Sequence, residues 1–413
     1  MRYPPDGAIT AADGERKVNP MVPATIDPNT PTNRDLVVIG ASAGGVESLR
    51  KLVRHLDPDL PACVLVVLHF PATSASLLPA ILNRARTLPA STAVDGEPLR
   101  RGHILVARPD YHLLVSGDHV SLTRGPRENG FRPAIDVLFR SAARAAGPRV
   151  IGVILSGMLD DGTAGMLNIR QRGGLVLAQS PNDAIYPSMP DNVIQHVGAD
   201  RIGTVAELAQ AVNRLVRTPN EPSGRPSAPR SATNASPSDP SDPNDPNEPD
   251  DPPNDRPPEP PQMLATEVEI ADMNPSAFVN TDRPGRPSGY SCPDCNGTLF
   301  EIDDAGLLRF RCRVGHAWSS LALMAAQSDA LEGALWMAFR SLEEKAALSR
   351  QLARRAGERG HTLSQQRYLE KASEAGRSAL LLQQLLEQPL STMPTEPIEH
   401  LDDSAEERDA ERI

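Results

Sequence analysis

From residue 35 the chain reads as short apolar runs separated by amphipathic stretches. Leu36 to Ile39, CVLVVL at 63–68 and VIGVIL at 150–155 show no polar alternation, the pattern of strands buried on both faces. HILVA at 103–107 and LVLA at 175–178 predict two further strands. HLLV at 112–115 and HVSL at 119–122 bracket Ser116-Gly117-Asp118 and predict a hairpin. Helical spacing falls at 46–55, 74–84, from Pro133 onward, at 191–196 and at 205–216. Strands alternating with helices over 35–217 predict an α/β domain with a doubly wound, mostly parallel sheet. A second periodic region covers 319–355 and 362–388. Leu331, Leu335, Ala338, Leu342 and Ala346 step by three and four along the first helix, and Leu363, Leu369, Ala372, Ala379, Leu382 and Leu386 along the second. They predict an antiparallel helical hairpin, stopped by Pro389.

Composition explains the gaps between these regions. Hydrophobic residues make up only 39% of the 413, and there are 41 prolines. Residues 1–34 read as a disordered leader, 218–288 as a disordered linker and 391–413 as a charged tail. From Pro237 to Pro252 proline recurs at every third position, so these prolines share one face of an extended polyproline II rod. A Pro-rich ligand for a partner domain is the other reading of that stretch. Eight acids against one arginine between Pro237 and Pro261 supply −7 of the net −11. The charge therefore describes a solvated spacer, and the balance argues against nucleic-acid binding through phosphates. The N-terminus lacks the apolar core of a signal peptide, and no apolar run nears the ~18 residues of a membrane span. The expected location is the cytoplasm.

The ends of three apolar runs carry chemistry. The first leads into Gly40-Ala-Ser42-Ala-Gly44-Gly45, the second into His69-Phe70-Pro71, and the third into Ser156-Gly-Met158-Leu-Asp160-Asp161-Gly162. In a parallel sheet all three lie on one carboxyl edge, where ligands collect. A serine hydroxyl is a weak nucleophile until a base takes its proton, and that base needs an acid to hold one tautomer. Ser42, His69 and the Asp160-Asp161 pair supply the parts, with glycines leaving backbone N–H groups for an oxyanion hole. Each has a plainer reading: Ser42 as a helix cap, His69 as a satisfied structural histidine, the aspartates as N-caps. The glycine turn is neither G-x-G-x-x-G nor a Walker loop.

With these residues in view, GASAGG, the His69-Phe70-Pro71 turn and SGMLDDGTAGM at 156–166 resemble the catalytic domain of the bacterial chemotaxis methylesterases, the CheB family. The resemblance covers about 35–216, with three motifs in order. It implies Ser42 as nucleophile, His69 as general base and acid, and Asp161 as orienting acid, because Asp161 lies three positions after Met158. The Met158 backbone N–H would belong to the oxyanion hole. It further implies a doubly wound α/β fold, no cofactor for catalysis, and hydrolysis of γ-glutamyl methyl esters on chemoreceptor helices, with deamidation of glutamines in some members. Family members often flank the histidine with Gln and Met, where this chain has Leu68 and Phe70. The best-known members place a receiver domain first, under phosphorelay control; with 34 residues ahead of the catalytic strand, that control is expected to be absent or to come from another chain. A serine hydrolase acting on a non-chemotaxis substrate, and an inactive scaffold, are the competing readings.

Cys292, Cys295, Cys312 and His316 form C-x2-C-x16-C-x3-H. Three thiolates and an imidazole fill a tetrahedral zinc shell and leave no position for water, so the expected role is structural Zn2+. Clustered cysteines in a cytosolic chain favour metal over disulfides. Thr298–Ile302 and 307–310 flank Asp303-Asp304-Ala305-Gly306 and predict a hairpin within a zinc-ribbon-like unit at 289–320. The helical hairpin at 321–390 follows. The unit resembles a C-terminal extension found on some family members that lack a receiver domain, and the expectation is a docking or dimerisation module for a regulator.

Overall fold

The computed structural model describes residues 33–70, 77–219, 262–279 and 285–387. Nearly all of the leader, the periodic proline stretch, Pro71, Ser74 and the charged tail lie outside the described residues. In chain order the elements are β1 (Leu36–Ala41), α1 (Gly45–His55), β2 (Cys63–Leu68), α2 (Leu78–Asn83), β3 (Ala90–Thr92), β4 (Ile104–Val106), β5 (His112–Ser116), β6 (His119–Thr123), α3 (Ile135–Ala146), β7 (Val150–Ile154), α4 (Thr163–Gln171), β8 (Leu175–Gln179), α5 (Ser188–His196), β9 (Arg201–Gly203) and α6 (Val205–Leu215).

The main sheet has the order β3-β4-β2-β1-β7-β8-β9, and every pair is parallel. The unbroken apolar runs of β1, β2 and β7 are its three central strands, each buried on both faces. Leu49, Leu52, Leu82, Leu208 and Val212 from α1, α2 and α6 cover one face. Leu138, Phe139, Met166, Ile169 and Val193 from α3, α4 and α5 cover the other. The chain moves outward from β1 through β2 and later returns to lay β7 on the other side of β1. This reversal of strand order opens a crevice at the carboxyl ends, where doubly wound folds bind ligands.

β5 and β6 form the expected hairpin, with Ser116 opposite His119 and Gly117 at φ +62° in the two-residue turn. The short strands β3 and β9 have too few apolar residues to announce themselves, and they sit at the sheet edges. Helix α3 begins at Ile135 rather than at Pro133, because the Asp161 carboxylate accepts the N–H groups of Ile135 and Asp136 and so caps the helix from another loop.

The expected linker 218–288 is folded in part. Within it lie α7 (Gln262–Ala271) and α8 (Pro275–Val279). Leu264, Val268 and Ala271 of α7 pack on Leu114, Ala134 and Val137, and Glu267 of the same helix is buried. This apolar stripe follows the proline-rich run, whose composition masked it. Beyond α8 a four-stranded antiparallel sheet runs in order through β10 (Arg286–Ser291), β11 (Thr298–Asp304), β12 (Leu307–Cys312) and β13 (Ala317–Ser319). It leads into α9 (Ser320–Glu358) and α10 (Thr362–Leu386).

The two long helices pair through small residues: Ala346, Ala353 and Ala356 of α9, and Ala372, Ala375 and Ala379 of α10. Leu331, Ala338, Leu363 and Leu369, expected on the contact face, are exposed. The 25 residues of α10 reach back along only part of the 39 of α9, at 1.5 Å per residue, so Leu331 lies beyond the end of its partner.

Buried ion pairs join the parts. Glu128 pairs with Arg140 of α3 and, at 3.0 Å, with Arg311 of β12. Glu267 of α7 pairs with Arg309 and Arg311, each at 2.8 Å. Arg140, Glu128 and Glu267 have side chains 1–2% exposed. Charges this deep are tolerated because each carboxylate meets more than one guanidinium. Burial works against ionising Glu267, but the three arginines hold its carboxyl well below the usual carboxylate range.

Candidate active site

Strand register brings the first two groups together. Ala41 of β1 lies opposite Leu68 of β2, so Ser42 and His69 leave the sheet side by side. The His69 N–H donates to the Ala41 carbonyl at 3.3 Å. On the other flank Gly40 lies opposite Ile154, and the Ser42 N–H donates to the Ser156 carbonyl at 3.0 Å. The loop after β7 then passes over Ser42. Gly157 makes that passage possible, since a Cβ there would lie 2.3 Å from Met189 Sδ and 3.0 Å from Ser42 Cβ. Gly44, at φ +72°, turns the chain from Ser42 into α1.

The side chains form a continuous chain. Ser42 Oγ lies 3.0 Å from His69 Nδ1, and His69 Nε2 lies 2.8 Å from Asp161 Oδ2. With Nε2–H donating to the carboxylate, Nδ1 is left to accept the serine proton. The ring of Phe131 stacks on the imidazole, with centroids 3.7 Å apart. Asp161 is buried and also accepts from Ile135 N–H at 2.8 Å, Asn129 Nδ2 at 3.0 Å and Asp136 N–H at 3.2 Å. Burial opposes its charge, but the His69, Ile135 and Asn129 donors outweigh that and hold its carboxyl below the usual value. Buried Asp136 beside it is pushed well up, by burial and then by the Asp161 charge.

Asp160 points elsewhere. Its Oδ1 accepts from Ser319 Oγ at 2.6 Å, and burial pushes its carboxyl up to about 6. Neither aspartate caps α4 with its side chain, because Gly162 is the N-cap. Met158 is exposed, and among the described residues its N–H has no protein acceptor. Leu159 next to it is held at φ +59°, a left-handed conformation costly for a leucine. Its carbonyl accepts from Ser188 Oγ at 3.0 Å and Asn192 Nδ2 at 3.1 Å, which fix the loop. His112 lies apart from this constellation. Buried and pushed down to about 4 by loss of solvent, it stays neutral, accepts from the Ala134 N–H and donates to the Pro126 carbonyl. A pocket of ≈ 290 Å³ lined by Asp35, Leu36, Cys63 and Arg149 opens at the amino ends of the strands, away from Ser42.

Sequence reasoning missed Asn129 and Phe131. Asn-Gly at 129–130 signals a tight turn, and Asn129 and Gly130 do sit at φ +52° and +79°. Their approach to His69 and Asp161 is tertiary, and nothing local encodes it.

The second cluster lies in the C-terminal sheet. Ligand atoms of Cys292, Cys295, Cys312 and His316 lie within 4.8 Å of one another. Cys295 Sγ and Cys312 Sγ are 3.6 Å apart, and Cys312 Sγ and His316 Nδ1 are 3.6 Å apart. Thiolates at about 2.3 Å from a tetrahedral zinc stand about 3.8 Å from each other, so the donor set fits that ion. The Cys312 thiol is drawn down to about 7 by its Cys292 neighbour, which is pushed up to about 11.

Residues 37–212 match the family described as CheB methylesterase. A protein-glutamate methylesterase/protein-glutamine glutaminase of Rhizobium johnstonii is 38% identical over 185 residues, which is 44% of this chain and 50% of that one. One of the same designation from Methanosarcina mazei is 35% identical over 192 residues, 45% of this chain and 52% of that one. The crystal structure of the Thermotoga maritima CheB methylesterase catalytic domain is 31% identical, with all of it and 45% of this chain aligned and a TM-score of 0.43. The chain thus spans about half the length of the curated relatives it matches. Residues 37–212, the α/β domain that holds Ser42, His69 and Asp161, thus carry the match to the CheB methylesterase family.

Proposed function

We propose that the protein is a protein-glutamate methylesterase that hydrolyses γ-glutamyl methyl esters on a methylated chemoreceptor or similar protein. Ser42 is the nucleophile, His69 the general base and acid, and Asp161 the orienting acid. The observation that carries the reading is the Ser42–His69–Asp161 chain, with both links within 3.0 Å, at the carboxyl edge of the sheet. Ser42 Oγ attacks the ester carbonyl while its proton passes to His69 Nδ1. Charge on the tetrahedral oxygen is met by backbone N–H groups, that of Met158 among them. As the intermediate collapses, His69 gives its proton to departing methanol and leaves a glutamyl–Ser42 ester. Water, deprotonated by the same nitrogen, cleaves that ester and restores Ser42. A glutamine amide follows the same path and releases ammonia. The names of the relatives support both activities.

Zn2+ held by Cys292, Cys295, Cys312 and His316 would be structural in this reading, fixing β10–β13. The helices beyond it are the proposed site for a regulator. Among the described residues no helix is long and apolar enough to cross a membrane.

The test is release of radiolabelled methanol from methylated receptor by wild type and by Ser42→Ala. Release by wild type alone supports the reading. Equal release by both removes Ser42 from the chemistry, and release by neither, with both proteins folded, removes the substrate.

A further inference from the structure

We propose that Asn129 is a positioning residue for the esterase reaction, and that the C-terminal sheet holds it in place through Ala317 and Ser319. The inference rests on the proposed reaction at Ser42. Asn129 makes four hydrogen bonds, two toward each side. Its Nδ2 donates to Asp161 Oδ1 at 3.0 Å and to Asp136 Oδ2 at 3.2 Å. Its Oδ1 accepts from the Ser319 N–H at 2.8 Å, and its own N–H donates to the Ala317 carbonyl at 2.8 Å. The Ser319 N–H demands an oxygen, and the Asp161 carboxylate, held ionised, demands a donor. The amide therefore has one tenable orientation, and the flipped form would set an oxygen against Asp161.

Asp161 draws its other donors, His69, Ile135 and Asp136, from within the α/β domain. Among the described residues, Asn129 links Asp161 to Ala317 and Ser319 of β13, Ser319 lying 190 positions beyond Asn129. The loop that carries Asn129 is gripped on both sides of it. Glu128 forms a parallel bridge with Ala317 and an ion pair with Arg311, and Phe131 lies against His69. Ser319 also places its hydroxyl on Asp160, next to the orienting acid. The C-terminal sheet thus reaches both the acid and the base of the triad through one four-residue loop. A displacement of about 1 Å at such a site costs up to ~100-fold in rate.

The experiment uses the full chain. Asn129→Gly deletes the amide while suiting the backbone at φ +52° and keeping the N–H to Ala317. Ser319→Pro deletes the N–H that holds the amide, at a φ of −74° that proline adopts, and Ser319→Ala keeps that N–H. Methanol release gives kcat and KM, and the rate at which a fluorophosphonate labels Ser42 reports its reactivity without receptor. The expected result is a fall of about 10- to 100-fold in kcat and labelling for Asn129→Gly, with KM within about threefold. Ser319→Pro is expected to fall likewise, Ser319→Ala less, and the glycine–proline double variant no further than the worse single one. Unchanged kcat and labelling in Asn129→Gly, with wild type active, overturns the inference alone, as does full additivity in the double variant. Wild type that neither releases methanol nor labels overturns the proposed function, and this inference with it. Should Ser319→Pro fail to fold, Asn129→Gly decides by itself.

Discussion

His69 lies flat against Phe131, with ring centroids 3.7 Å apart and planes 6° from parallel. In the proposed reaction this imidazole takes a proton from Ser42, and the cation that forms meets the electron-rich face of Phe131 in a site where His69 is only 5% exposed. A desolvated contact of this kind is worth about 1–2 kcal/mol. Phe131→Leu keeps an apolar side chain but loses the face. Its kcat for methanol release is expected to fall roughly 5- to 30-fold, with KM little changed. A variant with wild-type kcat would make the stack simple packing.

Asp160 gives the protein a pH-dependent liability. Burial pushes its carboxyl up to about 6, despite the hydroxyl that Ser319 donates to it. The folded value lies above the unfolded one of about 3.9, so the folded state binds the extra proton between the two. The stabilising contribution is present below about pH 4 and is lost as pH rises through about 6, by up to about 3 kcal/mol. Asp160→Asn keeps an acceptor for Ser319 without the charge. Melting both proteins from pH 4 to 7.5 is expected to show the variant gaining on wild type across that window and staying ahead above it. A difference independent of pH would show that Asp160 does not titrate there.

What was legible in the sequence is what local pattern encodes. The apolar runs of β1, β2 and β7 carry no polar alternation because both faces are covered, and each leads into the turn or loop that carries one member of the Ser42–His69–Asp161 chain. Asp161 is told from Asp160 in the sequence only through the family resemblance, by its place three positions after Met158; the N-terminus of α3 and the loop at Asn129 that hold its carboxylate are tertiary. Helix α7 was hidden because its apolar stripe is short and follows a proline-rich run, and its meaning depends on α3 and β12. Helical periodicity places Ala346, Ala372 and Ala379 on the seam of α9 and α10, where they are buried, but it finds a face and not the partner's length, so Leu331 falls beyond the seam, and Leu363 and Leu369 are exposed.

The ion cluster that anchors the C-terminal sheet is open to a stability test. Glu267 faces Arg309, Arg311 and Arg140, all buried. Glu267→Ala would leave three guanidinium groups sharing Glu128 and Asp304. Removing one partner from a buried charge set costs about 3–5 kcal/mol. Urea unfolding of the full chain is expected to show a loss of that order. A loss under about 1 kcal/mol would mean that the arginines reach solvent by a small movement.

The cysteines give the last prediction, because their surroundings divide them three to one. Cys63 lies inside β2, and burial pushes its thiol up to about 12, so it stays protonated and inaccessible. Cys292, Cys295 and Cys312 share the cluster with His316. In the metal-loaded protein, a chromogenic disulfide reagent under native conditions is expected to find almost no reactive thiol. After a strong chelator it should find three, with release of about one zinc per chain. Cys63 should react only in denaturant. Because Ser319 and Ala317 begin three residues or fewer after His316, chelation is also expected to lower the melting temperature and slow the labelling of Ser42 together. Three reactive thiols before chelation, with no zinc released, would leave the cluster as reduced cysteines. Zinc release with Ser42 labelling unchanged would show that β13 keeps its grip on Asn129 without the ion.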